Sequence, residues 1–212
     1  MVFHPRSDWK NFPSFPLQPR STIFRIFKSY SSEASPRSPW YFGSTGGKNP
    51  GRFDLPQPKG SCYFASSSYG AWLETIRGPR VVSRQQVEEL SLARVTRQST
   101  ELILANLTSS SGTKYGLTLD VATGDDYSQT QEIADLLRKA RFKGVRSFLR
   151  RSTSARLYTF GIFGPTGAQP VPRGWKGVSS NLIDETQLLR FAVAQGYKVV
   201  DIPLDMAIDQ PR

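Results

Sequence analysis

Three residues whose types could work together are evenly spaced: Arg52, then Tyr63 eleven residues on, then Glu74 after eleven more. An arginine offers a planar, permanently charged fork for phosphate. A tyrosine offers a ring for stacking and a hydroxyl for orientation. A carboxylate in a partly apolar setting is a candidate site residue. Arg52 belongs to the run Gly46-Gly47-Lys48-Asn49-Pro50-Gly51-Arg52-Phe53-Asp54. Its glycines and proline set a fixed turn through which backbone amides can approach a ligand. Lys48 and Arg52 add charge beside those amides, so the run could cradle a pyrophosphate. Glu74 follows Ala71, Trp72 and Leu73 on what reads as an apolar helix, a setting that partly buries a carboxylate. A Gly-rich surface turn and a solvated helical Glu are the plain alternatives.

Residues that are scarce narrow the chemistry further. There is one histidine, His4, and one cysteine, Cys62. That excludes an internal disulfide, the usual Cys or His metal sites, and most Ser–His or Cys–His nucleophile pairs. No metal is expected. Catalysis must draw on Glu, Asp, Arg, Tyr, Ser or Lys.

The elements that would position these groups follow from pattern. A chain of 212 residues with 38% hydrophobic content can bury a sizeable core as one domain. Nine of its fifteen prolines fall before residue 59. Residues 1–20 therefore read as a flexible arm, and residues 21–212 as a single domain. Thr22 to Phe27 reads as the first strand and carries Arg25. Residues 28–51 read as a long Ser/Pro/Gly connection. Ser61 to Ala65 reads as a strand bearing Tyr63, and Ser66 to Ser68 offer caps for a helix over Tyr69 to Ile76. Arg80 to Val82 reads as a strand. A short helix runs through about Leu90 after Ser83, and Glu101 to Leu107 is β-like. The clearest helix starts near Ser128 or Thr130, with Ile133, Leu136, Leu137 and Ala140 on one face. Tyr127 and Gln131 stand at i and i+4 at its start, able to face one pocket. Val145 to Leu149 and Tyr158 to Phe163 read as strands, 165–177 as a loop. A last helix is capped by Asp184 and closed by Gly196, ahead of a strand from Tyr197 to Ile202. The order predicts α+β, a mixed β-sheet core with flanking helices.

The formal charge is +11 and the pI about 10.0, which concerns partners rather than fold. Between Arg138 and Arg156 lie eight Lys or Arg residues and no acid. Such a run can serve a polyanion or an acidic partner, or it can be a solvated face. It lacks aromatic interleaving and helix-turn-helix or zinc-finger spacing, so direct nucleic-acid binding is not expected. No run approaches the ~20 apolar residues of a membrane span, and no apolar signal segment is visible. A cytoplasmic protein is expected.

In order, these pieces resemble the RES-domain family, named for an Arg, a Glu and a Ser. The resemblance runs from about Phe24 to Phe163. It includes Arg25, Gly51-Arg52-Phe53-Asp54, Tyr63-Phe64-Ala65, Ala71-Trp72-Leu73-Glu74, Tyr127-x-x-Thr130-Gln131-x-x-Ala134 and Gly144-Val145 before a strand. The core would be residues 24–163, with 164–212 a helix and edge-strand extension. At the family's serine this chain has Leu149. Ser147, two residues earlier and on the same strand face, is the substitute, with Ser152 facing the other way.

The resemblance implies an ADP-ribosyltransferase-like fold with NAD in a cleft of the sheet. It implies a toxin that cleaves the nicotinamide N-glycosidic bond by hydrolysis or phosphorolysis. The usual partner is an antitoxin with a DNA-binding domain. In that reading Glu74 and Arg52 are catalytic; Arg25, Arg52, Tyr63, Tyr127 and Ser147 hold NAD. A protein ADP-ribosyltransferase would share the site. A non-catalytic basic protein that binds nucleic acid or an acidic partner is the alternative from another class.

Overall fold

The computed structural model describes residues 8–28, 38–76, 81–88, 90–118, 126–149, 152 and 156–201. His4, the first seven residues of the expected arm, Arg150, Arg151 and the end of the expected last strand lie outside them. In chain order the strands are β1 (Ser14–Leu17), β2 (Thr22–Lys28), β3 (Tyr41–Phe42), β4 (Lys59–Ala65), β5 (Val81–Ser83), β6 (Leu90–Arg97), β7 (Leu102–Asn106), β8 (Gly144–Phe148), β9 (Tyr158–Pro165), β10 (Gly167–Ala168), β11 (Trp175–Leu182) and β12 (Lys198–Val200). The helices are α1 (Ser68–Thr75), α2 (Arg84–Glu88), α3 (Ser128–Lys139) and α4 (Glu185–Gln195).

Eight strands form one mixed sheet in the order β1-β7-β8-β9-β4-β2-β6-β11. All its neighbours are antiparallel except β7 and β8, which run parallel. A parallel pair needs a crossover, and the segment containing α3 supplies it. The fold is α+β, as expected. β3 pairs with β10, and β5 with β12, in two small separate sheets.

Side-chain alternation divides the core between the two faces of the sheet. On one face Phe53, Leu55 and Val145 pack with Ile133 and Leu137 of α3. Beside them Ile26, Ala65 and Leu149 pack with Trp72 of α1 and Phe191 of α4. Trp72 and Phe191 stack at 4.8 Å. On the other face Trp40, Phe42, Cys62, Phe64, Ile162 and Trp175 form a third cluster. The site elements β4 and β9 are thus covered on both sides.

Helix ends follow local chemistry. Ser67 Oγ accepts from Gly70 N at 3.0 Å to start α1. Asp184 Oδ1 accepts from Gln187 N at 2.7 Å to start α4, and Gly196 closes it at φ 65°.

Several expectations change. Residues 8–20 are not an arm: β1 pairs with β7, and Trp9, Phe12 and Leu17 are buried. Pro16 is tolerated because β1 is an edge strand, which need not donate on its outer side. The helix expected through Leu90 stops at Glu88, and Leu90 opens β6. The loop expected over 165–177 contains β10 and the start of β11. β12 does not extend the main sheet; it pairs parallel with β5.

Candidate functional site

β2 makes seven register pairs with β6, and β4 seven with β9, but β2 and β4 meet at one, Phe24 with Ala65. Beyond that pair the strands part. The gap is a cleft of about 270 Å³ lined by residues 24–26 of β2, 63–65 of β4, and Ala71, Glu74 and Thr75 of α1. Drug-sized ligands occupy sites of roughly 300–1,000 Å³, so a cleft of this size holds a small ligand or one part of a larger one.

The loop before β4 is fastened to the cleft wall by a buried carboxylate. Asp54 accepts from Gly51 N at 2.7 Å and from Tyr63 Oη at 2.9 Å. Tyr63 Oη accepts in turn from Phe53 N at 2.8 Å. From the far side, Gln131 Nε2 of α3 donates to Gly51 O at 3.0 Å. Burial, with the Asp54 charge next, pushes the Tyr63 pKa well above the ordinary tyrosine value; the hydroxyl stays protonated.

This fastening turns Arg52 inward. Its side chain is 8% exposed, with Nη2 4.0 Å from Glu74 Oε1 and the guanidinium 5.1 Å from the Phe53 ring centre. Glu74 keeps 25% of its side chain exposed. Its Oε1 also accepts from Thr159 Oγ1 at 2.7 Å. Glu74 is therefore held between a buried guanidinium and a buried hydroxyl, open on one side to the cleft. Lys48, expected to join Arg52 in a phosphate cradle, lies instead on an exposed turn.

Arg25 lines the same cleft. Its Nη1 donates to Tyr41 O at 3.0 Å and contacts the Cys62 thiol, on the sheet face away from Tyr63. Arg25 and Glu74 thus approach the gap from opposite faces. Burial pushes the Cys62 pKa up to about 11 against the opposing pull of Arg25.

The remaining expected residues lie further out. Ser147 is buried on β8 directly opposite Thr159. Among the described residues its Oγ has no hydrogen-bond partner. Leu149 is packed in the core beneath α1, and Ser152 donates its N–H to Leu149 O at 3.3 Å. Tyr127 is half-buried at the N-cap of α3, where its carbonyl accepts from Gln131 N. Neither Tyr127 nor Ser147 is among the residues lining the cleft. It is Gln131 that reaches the Arg52 loop. Thr159 and Asp54 are the site residues that sequence reasoning missed. The available signal was a polar residue on a strand buried on both faces.

Among the described residues, the basic run from Arg138 does not make one surface. Arg138 and Lys139 pair with Asp135 at 2.8 and 2.7 Å. Arg146 lies between the rings of Phe15 and Tyr158, 4.4 and 3.5 Å from their centres, and donates to Asn106 and Thr108. Arg141 and Lys143 are exposed. Among the described residues no group of three or more His, Cys, Asp or Glu could hold a metal ion, and no helix is long and apolar enough to cross a membrane.

Comparison with known proteins adds two findings. Among curated proteins nothing matches. Among solved structures the chain is similar to one from the M. tuberculosis MbcT–MbcA toxin–antitoxin complex. The two share 15% identity over 86% of this chain and 91% of that one, with a TM-score of 0.53. At that identity the likeness is one of fold. The RES domain family model matches residues 22–173, which run from β2 through β10 and include every residue lining the cleft. By that match the chain belongs to the RES-domain family.

Proposed function

We propose that this protein is the toxin of a toxin–antitoxin pair and destroys NAD by cleaving its nicotinamide N-glycosidic bond. One observation carries the reading: Glu74 stands at the cleft between Arg52 and Thr159, with Tyr63 on the adjacent wall. Family membership supports it, since RES-domain toxins generally process NAD.

In this reading Arg25 and Arg52 supply positive charge for the diphosphate from the two sides of the gap. The Tyr63 ring bounds the nicotinamide end. As the C–N bond breaks, its electron pair leaves with neutral nicotinamide and positive charge grows on the ribose. The Glu74 carboxylate stabilises that charge. Water then adds to give ADP-ribose and a proton, or phosphate adds to give ADP-ribose 1″-phosphate. Neither route needs a metal or a histidine. Tyr127 and Ser147 lie outside the residues lining the cleft and carry no assigned step in either route.

The reading places the protein in the cytoplasm with an antitoxin as partner. Its support is the similar chain's membership of a toxin–antitoxin complex and the +11 charge, which favours an acidic partner surface. The dispersal of the described charges from Arg138 to Arg146 argues against a nucleic-acid platform as the main role.

The test is nicotinamide release from NAD by purified wild type and Glu74→Gln, with and without inorganic phosphate. Release that Glu74→Gln abolishes supports the enzyme, and phosphate dependence identifies phosphorolysis. Release only when a protein target is added, with label transferred to it, shows an ADP-ribosyltransferase. No release or transfer from folded protein refutes the proposal.

A further inference from the structure

The proposed reaction needs Glu74 in one place, and Glu74 sits near the C-terminal end of a helix of eight residues. A glutamate has three rotatable bonds, and a side chain one-quarter exposed has room to use them. Arg52 Nη2 stands 4.0 Å from Glu74 Oε1, a distance at which charge attracts with little directional constraint. A short directional bond comes from Thr159, 85 residues away in sequence, at 2.7 Å.

Thr159 is well made for this. It lies on β9 with a neighbour strand on each side, opposite Ala65 on β4 and Ser147 on β8. It is 1% exposed. A β-branched side chain in a strand has few χ1 choices, so its hydroxyl is a rigid reference point. A buried hydroxyl with one proton to give spends it where an acceptor waits. Directly across the sheet, Ser147 is buried as well, yet its hydroxyl has no partner among the described residues. Of the two adjacent hydroxyls, it is the threonine that reaches the carboxylate.

We infer that Thr159 is a positioning residue for the proposed NAD cleavage: its hydroxyl on strand β9 holds the Glu74 carboxylate of helix α1 at the reacting end of the cleft. The inference rests on the proposed function for its kinetic consequence, but not for its structural one. A misplacement of about 1 Å at a reacting centre can cost ~10²-fold in rate. Binding of the rest of NAD, which lies away from Thr159, is unaffected.

The experiment uses the full chain as Thr159→Val, which keeps shape and removes the hydroxyl, and Thr159→Ser, which restores the hydroxyl. Thr159→Val is expected to lower kcat for nicotinamide release roughly 10- to 100-fold, with KM and calorimetric affinity for ADP-ribose within about twofold of wild type. Thr159→Ser is expected to recover most of kcat. Wild-type kcat in Thr159→Val overturns the inference, and so does a loss that Thr159→Ser does not repair. Crystal structures of wild type and both variants give a readout independent of turnover. A Glu74 carboxylate displaced in Val and restored in Ser supports the assignment; one unmoved in Val overturns it. If Thr159→Val fails to fold, Thr159→Ala is read against Thr159→Ser in the same way. Absence of nicotinamide release by wild type refutes the enzyme and leaves the structural arm to decide on Thr159.

Discussion

Gly51 and Tyr63 touch so closely that a methyl group on residue 51 would lie 2.6 Å from the Tyr63 hydroxyl oxygen. The loop that carries Arg52 can lie against β4 only because residue 51 has no side chain. Gly51→Ala is therefore expected to push loop and ring apart, at about 1–3 kcal/mol of stability. It should also lower turnover by moving Arg52 away from Glu74. Urea unfolding beside nicotinamide release checks both; a variant with wild-type values in each would show that the contact relaxes without consequence.

Asp54 and Tyr63 act as a unit. Tyr63→Phe removes a hydroxyl that both donates and accepts, and Asp54→Asn weakens the acceptor of that bond and of Gly51 N. Each is expected to cost about 1–3 kcal/mol. The double variant should cost clearly less than the sum, because the two changes break one shared bond. Additive losses in a double-mutant cycle would mean that the groups stabilise the loop separately.

Cys62 makes stability sensitive to alkali. Its pKa is about 11 in the folded protein against an ordinary 9.0, so the folded thiol keeps its proton where the unfolded one loses it. The associated stability is fully present below about pH 9 and is lost as pH rises to about 11. Two units correspond to about 2–3 kcal/mol. Unfolding free energies at pH 8 and 11 should converge between wild type and Cys62→Ala by that amount. Parallel curves would dissociate the thiol from the alkaline loss.

Helix α3 ends in a Schellman turn with an arginine where glycine fits best. Phe142 N donates to Leu137 O and Arg141 N to Arg138 O, with Arg141 at φ 76°. Its side chain is exposed and does not line the cleft. Arg141→Gly should raise stability by about 0.5–1 kcal/mol, from relief of left-handed strain less the added freedom of the unfolded chain. A lower melting temperature would contradict this, with turnover as the control.

Sequence patterns showed where local chemistry decides. β2 and β9 are dense in aromatic and β-branched residues, and α1, α3 and α4 announce their caps or their period. β1 was hidden by Pro16, which argues against a strand unless the strand is known to lie at an edge. β6 was hidden by Ser91, Arg94 and Arg97, polar residues that the ends and open side of a sheet accept. β11 carries Gly177 and a register shift between Lys176 and Ser179, which break the alternation a strand normally shows. In the site, the order of Arg52, Tyr63 and Glu74 was legible because each stands on its own element at regular spacing. Thr159 was not, since nothing local ties a strand threonine to a glutamate 85 residues earlier. Asp54 was quoted beside Arg52, but only the fold shows that it fastens the loop.

The single rung between β2 and β4 leaves an edge in the middle of the sheet. Three strands lie on one side of it and five on the other. Beyond Phe24 and Ala65 the two strands make no further register pair. Exposed edges of this kind recruit foreign chains, and here α1 lies over the opening with Trp72 anchored on Phe191. The helix that brings Glu74 to its place is thus also a shield. Loosening its anchor would expose an interior seam to neighbouring molecules, and the protein would be lost to self-association before it unfolded.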